Sequence, residues 1–364
     1  MSAPYRSNVI GSLLRPDYLI EARGERDRGE LDAAAFKRIE DRAVDEALAL
    51  QADCGLDICT DGEMRREWFT GTLTEAIDGL EQIGGAHETV WHGDAGDATL
   101  LAPTAITGKL RRTRSVATEE FTYSRARSRL PVKVTLPSPM ALMEFWSPEH
   151  STAAYANVLE VFEDAVDILR DEARVLQQLG CQDIQLDAPE LAVSIDPSQA
   201  AYFERLGFPR ERMLSEGLEL LNAVADVPGV RFSMHMCRGN HDGMWLSEGG
   251  YDTIAKEAFR RTQNIDVLCL EYDDYRSGSF EPLAEVPDDK LVMLGLVSTK
   301  REDLEPVDAL VERVEQASAF IDKDRLGVST QCGFAPVAGG HPLSAGAQEA
   351  KLRTVARVAD EVWG

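Results

Sequence analysis

The sequence predicts an α/β fold, a (βα)8 TIM barrel, on three grounds. Short apolar runs alternate with amphipathic ones along all 364 residues, the mark of parallel βα units. Eight of the short runs can be counted, and most are apolar throughout, as strands buried on both faces must be. The first of them is followed by no G-x-G-x-x-G turn, since Gly11-Ser12-Leu13-Leu14 stands there, which argues against a doubly wound dinucleotide-binding sheet.

The candidate strands are Val9–Leu14, Asp57–Asp61, Pro131–Leu136, Asp183–Asp187, Arg231–Met236, Val267–Tyr272, Leu291–Val297 and Leu326–Thr330. Apolar residues at helical spacing mark Ala34–Gln51, Ala153–Leu179, Met213–Val224, Tyr251–Arg261, Pro306–Phe320 and Ala345–Val362. Gly55 and Gly180 each stand where a helix should stop before a strand. A barrel typically takes about 250 residues, so the chain has length to spare. Part of the excess is residues 84–128, whose Gly-Gly, Gly-Asp and Thr/Val-rich stretches read as an antiparallel β excursion between strands two and three. No repeat or low-complexity linker interrupts the pattern, so residues 1–364 are expected to form a single catalytic domain.

Lys and Arg number 38 and Asp and Glu 63, a net charge of −25. Such a chain repels phosphate backbones and anionic lipid, which excludes nucleic acid and membrane surfaces as expected partners. No apolar run approaches the ~20 residues that span a bilayer. The N-terminal MSAPYRSNVIGSLLRP lacks a long apolar core and does not read as a signal peptide. A cytoplasmic location follows as the expectation, with a homo-oligomer left open.

The six cysteines are scattered, and a chain of this size needs no disulfide staples. Cys54, Cys59, Cys181 and Cys269 read as small buried hydrophobes. Cys237 and Cys332 read differently, because chemistry in a barrel gathers where strands end. His235 and Cys237 are two residues apart at such an end, and side chains at i and i+2 share a face. Glu271 and Cys332 stand at the ends of two further strands. One imidazole, two thiolates and one carboxylate suit tetrahedral Zn2+. Three anionic ligands cancel the charge of the ion, which makes it a poor Lewis acid for hydrolysis. Such a site is better suited to holding a substrate thiol as thiolate for S-alkylation.

These residues and their neighbours resemble the catalytic C-terminal half of cobalamin-independent methionine synthase, within the group that shares its barrel with uroporphyrinogen decarboxylase. The likeness is carried by Ile10-Gly11-Ser12, Asp61-Gly62-Glu63, Gln185-Leu186-Asp187-Ala188-Pro189, His235-x-Cys237, Glu271 and Gln331-Cys332-Gly333, in family order. The resemblance implies zinc on His235, Cys237, Glu271 and Cys332. It implies homocysteine as the thiol, its amino group on Glu63 and Asp187 and its carboxylate end on Ile10 and Ser12, and a methyl group as what is transferred. Taken without the likeness, two carboxylates near a pocket mouth are a reasonable ammonium receptor, and Glu63 and Asp187 otherwise read as helix caps or surface charges.

The chain also departs from the family. The second, N-terminal barrel of the full-length folate enzyme is absent, which leaves folate, a corrinoid or another small compound as methyl donor. Lys300 stands near the place of a family histidine thought to pass a proton to the leaving group, and otherwise reads as an exposed loop lysine. Trp146 falls near the place where the family stacks an aromatic ring on the donor, and otherwise reads as a core residue. Two other readings stand beside methyl transfer to homocysteine. One is an epoxyalkane:coenzyme M transferase-like enzyme, whose sulfonate would call for Arg15, Arg65, Arg66 or Arg238. The other is a metal-free, decarboxylase-like or ligand-binding barrel.

Overall fold

In the computed structural model, residues 4–339 and 341–364 are described. Met1–Ala3 and Gly340, part of the expected single domain, lie outside the described residues. Seven parallel strands make one curled sheet: β1 (Ser7–Asn8), β4 (Lys133–Pro137), β5 (Asp183–Asp187), β6 (Arg231–Met236), β7 (Val267–Glu271), β8 (Leu291–Val297) and β9 (Leu326–Thr330). Their spatial order is β1-β9-β8-β7-β6-β5-β4. Residues 57–60 run between the two edges of that sheet. Asp57 N donates to Ser7 O at 3.3 Å, Cys59 N to Pro131 O at 3.0 Å, and Lys133 N to Cys59 O at 2.8 Å. In place of the expected strand Asp57–Asp61 there is thus a single parallel bridge, Cys59 to Val132.

The other strands lie close to their expected positions, with one marked exception. Val9–Leu14 is apolar enough for a strand, yet only Ser7–Asn8 pairs with β9. The chain then turns across the sheet end and gives its amides elsewhere. Ile10 N donates to Thr330 Oγ1 at 3.2 Å and Leu14 N to Gln348 Oε1 at 2.7 Å, and Leu13 N donates to Gly62 O at 3.0 Å.

Helices cover the outer face. Val158–Gln178 is one of two helices of 21 residues, with Ala33–Asp53, and the Asn157 side chain caps it by accepting from Leu159 N at 3.0 Å. It buries Val161, Phe162, Ala165, Leu169, Ala173 and Leu176. A fully buried Phe or Leu contributes about 1.5–3 kcal/mol, so this face alone anchors the helix. Ile184 and Leu186 of β5 belong to the same core, whereas Gln185 and Asp187 point to the other face, with the polar groups of the barrel interior. No helix among the described residues is long and apolar enough to cross a membrane.

Outside the curled sheet, β2 (Ile77–Trp91) and β3 (Ala98–Arg112) form an antiparallel pair. It begins seven residues before the expected 84. It is followed by a helix, Thr118–Arg125, where further strand was expected. The hairpin is tied down over the sheet end: His92 and Trp245, in the loop after β6, exchange backbone bonds of 2.7 and 2.8 Å.

Candidate metal and thiol site

Strand register builds the site. Asp187 of β5 is the direct neighbour of His235 of β6, and His235 that of Cys269 of β7. The alternation continues past the end of β6, so His235 and Cys237 share the inner face as expected. Cys332, two residues beyond β9, completes the group. One ligand atom from each of His235, Cys237 and Cys332 lies within 4.8 Å of the others. The two sulfurs are 3.8 Å apart. All six cysteines are free.

These three residues fit a zinc ion. Two sulfurs bound at ~2.3 Å with a tetrahedral angle lie about 3.8 Å apart, the spacing found. Apart from the Cys237 sulfur, neither ring nitrogen of His235, which is 3 % exposed, meets a hydrogen-bond partner, although buried polar atoms are normally satisfied. Cys332 donates to Cys237 and holds that thiol well below its usual range, with the nearby His235 acting in the same direction against burial. The same bond, with burial, pushes Cys332 well up. Burial works to lower the pKa of His235, but the Cys237 charge and hydrogen bond outweigh it.

Glu271 does not join the group within that distance. It is fully buried, and its oxygens are engaged: Oε1 accepts from Lys300 Nζ at 3.1 Å and Oε2 from Arg238 N at 2.7 Å. Lys300 is correspondingly not an exposed loop residue, its side chain being 5 % exposed. Burial alone would lower its pKa, but the Glu271 carboxylate raises it.

A cavity of about 580 Å³ opens above the cluster. Ile10, Ser12, Glu63 and Asp187 line the same cavity as His235, Cys237 and Cys332. Glu63 and Asp187 are therefore not surface charges; they are 2 % and 8 % exposed. Glu63 has φ of +55°, an uncommon conformation for a residue with a side chain and one that clusters at functional sites. Its carboxylate accepts from Thr135 Oγ1 at 2.8 Å and faces Arg66 at 3.5 Å. Gly11 makes room for it, since a Cβ there would come within 2.6 Å of Glu63 Oε1. Asp187 accepts from Gln185 Nε2 at 2.7 Å. Burial pushes its pKa up to about 7, the His235 charge opposing and Glu63 adding to the rise.

Trp146 does not line the cavity; it is 3 % exposed within the core, and its neighbour Phe145 is the lining residue. The sequence reading also passed over Trp68, Trp91, Glu144 and Glu190, which form much of the far wall. Position gave a signal for some of them. Glu190 is three residues past the end of β5, and Trp68 follows the Asp61-Gly62-Glu63 turn by five. Trp91 comes from the hairpin, and sequence gave no reason to fold that over the site.

The family described as "Cobalamin-independent synthase, Catalytic domain" matches residues 6–345. The uncharacterized protein YxjH of Bacillus subtilis (strain 168) is 34% identical, over 99% of this chain and 95% of its own length. The methionine synthase of Pyrococcus abyssi is 25% identical over 90% of this chain and 86% of its own. Among solved structures, the B12-independent methionine synthase from Shewanella sp. W3-18-1 superposes with a TM-score of 0.76 at 22% identity, covering 99% of this chain and 98% of that one. The match of the catalytic-domain family to nearly the whole chain makes this protein a member of the cobalamin-independent methionine synthase family, a family of methyltransferases.

Proposed function

We propose that the protein is a zinc-dependent S-methyltransferase whose acceptor is homocysteine. The observation that carries this reading is the convergence of His235, Cys237 and Cys332 at one end of the cavity, with Glu63 and Asp187 beside them. Zinc bound there would bring an incoming thiol, ordinarily of pKa about 8.5, to its deprotonated form at neutral pH.

His235, Cys237 and Cys332 would hold the ion. Glu271 is the candidate for a fourth ligand, its carboxylate oriented by Lys300 and the Arg238 amide. Outer contacts of this kind set the direction and basicity of a ligand. In this reading Lys300 fixes Glu271 rather than giving a proton to the leaving group. Glu63 and Asp187 take the amino group, with Ser12 and the Ile10 main chain at the carboxylate end. The sulfur lone pair attacks the methyl carbon. The S–C bond forms as the methyl–donor bond breaks, and that electron pair leaves with the donor. The whole of residues 1–364 serves as one catalytic domain, and we take residues 57–60 as the eighth position of a (βα)8 barrel. Transfer to a sulfonate-bearing thiol is disfavoured, because no Lys or Arg is among the described residues lining the cavity.

Metal analysis with cobalt substitution tests the reading. The purified protein is expected to hold about one equivalent of zinc, and homocysteine should perturb the thiolate-to-cobalt absorption of the cobalt form. Cys237→Ser and Cys332→Ser should each weaken metal binding by more than about 100-fold, since even outer-contact changes cost roughly 10–100-fold. Zinc below about half an equivalent, with none gained on addition, would overturn it.

A further inference from the structure

We propose that Lys133 is a positioning residue for the amino group of the acceptor, acting through Gln185 to hold the Asp187 carboxylate where the ammonium meets it. This rests on the reading above in which Glu63 and Asp187 receive that group, and it adds a residue that stands behind the cavity wall rather than in it.

A chain of hydrogen bonds carries the effect. Lys133 Nζ donates to Gln185 Oε1 at 2.7 Å and to Val9 O at 3.0 Å. Gln185 Nε2 in turn donates to Asp187 Oδ1 at 2.7 Å and to Ile10 O at 2.9 Å. The chemistry leaves this amide one orientation. An ammonium only donates, whereas a carboxylate and a carbonyl only accept, so the amide oxygen faces Lys133 and its nitrogen faces Asp187. Lys133 and Gln185 are both buried. Side chains locked in this manner can hold a site to within about 0.5 Å.

Packing does not explain the lysine. It stands on β4, whose Val134 and Leu136 belong to the main core, and its donors go to the two oxygens above rather than to a carboxylate. Burying an amine without an ion pair is costly. Its neighbour Cys269 belongs to an apolar cluster with Ile10, Ile58 and Met293, so packing alone would place an apolar side chain at 133. The same strand serves the other carboxylate. Thr135, two residues on and therefore on the same face, donates to Glu63 Oε1 at 2.8 Å and accepts from Arg66 Nη1 at 2.9 Å. Each carboxylate of the pair thus ends a relay that runs through one neutral side chain to a buried basic one.

The relay has a consequence for binding. A donor at Oε1 polarises the amide and strengthens the bond its nitrogen makes to Asp187. Without Lys133 the amide is free to turn, and a turned amide points its oxygen at Asp187. The carboxylate then loses its donor and moves off the ammonium. A thiol that carries an amino group feels that loss, and one that lacks it does not.

Thiol binding to the cobalt-substituted protein, read from its thiolate-to-cobalt absorption, tests this. Homocysteine is compared with 4-sulfanylbutanoate, the same thiol without its amino group. The parent should bind homocysteine at least about tenfold tighter, the ratio that one charge-assisted hydrogen bond supplies. K133M and Q185M should each cut that ratio roughly tenfold, the lower end of what changes behind a site usually cost. Affinity for 4-sulfanylbutanoate and zinc content should stay as in the parent. K133M/Q185M should lose no more than Q185M alone, because residues acting in one relay are not additive. K133Q, one bond shorter than lysine but still polar, takes the place of K133M if that chain does not fold. A ratio that survives the change at Lys133, losses that multiply in the double variant, or an equal loss for both thiols overturns the proposal. A parent that binds both thiols equally overturns the amino-group reading itself, and the role of Lys133 falls with it.

Discussion

The two ends of one cavity treat buried carboxylates in opposite ways. At the metal end two have a fixed cation, with Lys300 reaching Glu271 at 3.1 Å and Arg66 standing 3.5 Å from Glu63, while Asp187 accepts from Gln185 Nε2 at 2.7 Å. At the far wall Glu144 and Glu190 face aromatic rings with no cation. The first arrangement fixes a negative group in place as part of the framework. The second leaves carboxyls met only by neutral donors, Ser138 at Glu190 and Trp68 at Glu144. The difference separates carboxylates that the fold answers with a cation from those it leaves to burial.

Removing one answering cation should break the first half of this comparison most severely. Lys300→Met leaves Glu271 buried with only the Arg238 amide at its other oxygen, and breaking such an ion pair typically costs about 3–5 kcal/mol. Urea midpoints should show that loss, and E271Q in the same chain should recover most of it. If K300M alone costs less than about 1 kcal/mol, Glu271 is not a desolvated charge and the contrast between the ends fails.

How far this contrast could be read from sequence depends on the kind of information involved. The metal end was legible because it obeys local periodicity: His235 and Cys237 differ by two on a strand, and Asp187, Glu271 and Cys332 stand at or just past strand ends. Six strands were legible for the same reason, as continuous apolar runs of the right length. The segment after Ser7–Asn8 was not, because its amides bond to Thr330, Gln348 and Gly62, partners that lie far off in sequence. Glu271 could be assigned to a strand end, but its contact with Lys300 joins that strand end to the loop after the next strand. The far wall was least legible. Whether a carboxylate has a cation nearby is a property of three dimensions, and a net charge of −25 only hints that some will have none.

The far wall has its own test in pH. Burial raises Glu144 to about 7, against roughly 4.3 in an unfolded chain. Between those values the folded state holds the extra proton. Its stabilising effect is therefore complete at low pH and is lost as pH rises from about 4.5 to 7, on the order of 3–4 kcal/mol for such a shift. Denaturant midpoints at pH 5 and pH 8 should differ by more in the parent than in Glu144→Gln, which cannot titrate. Equal pH slopes in the two chains would mean that Glu144 is already solvated or paired, which would remove the asymmetry between the ends.

The smallest expected effect concerns adjacent aromatic residues at that wall. Trp146 packs in the core and Phe145 lines the cavity, although sequence suggested the reverse role for the tryptophan. Trp146→Phe removes buried ring area but keeps an aromatic in place, so it should cost about 1–2 kcal/mol of stability and leave the cobalt response to homocysteine as in the parent. Phe145→Ala should do the opposite at the ligand. It takes away one face of the cavity's aromatic wall and should weaken donor binding by roughly three- to thirtyfold, as for the loss of about 0.5–2 kcal/mol of contact. Its loss of stability is limited because Phe145 is only partly buried. Measured together, the pair separates packing from recognition across one peptide bond, and an affinity loss in Trp146→Phe would return the donor wall to the register that the sequence suggested.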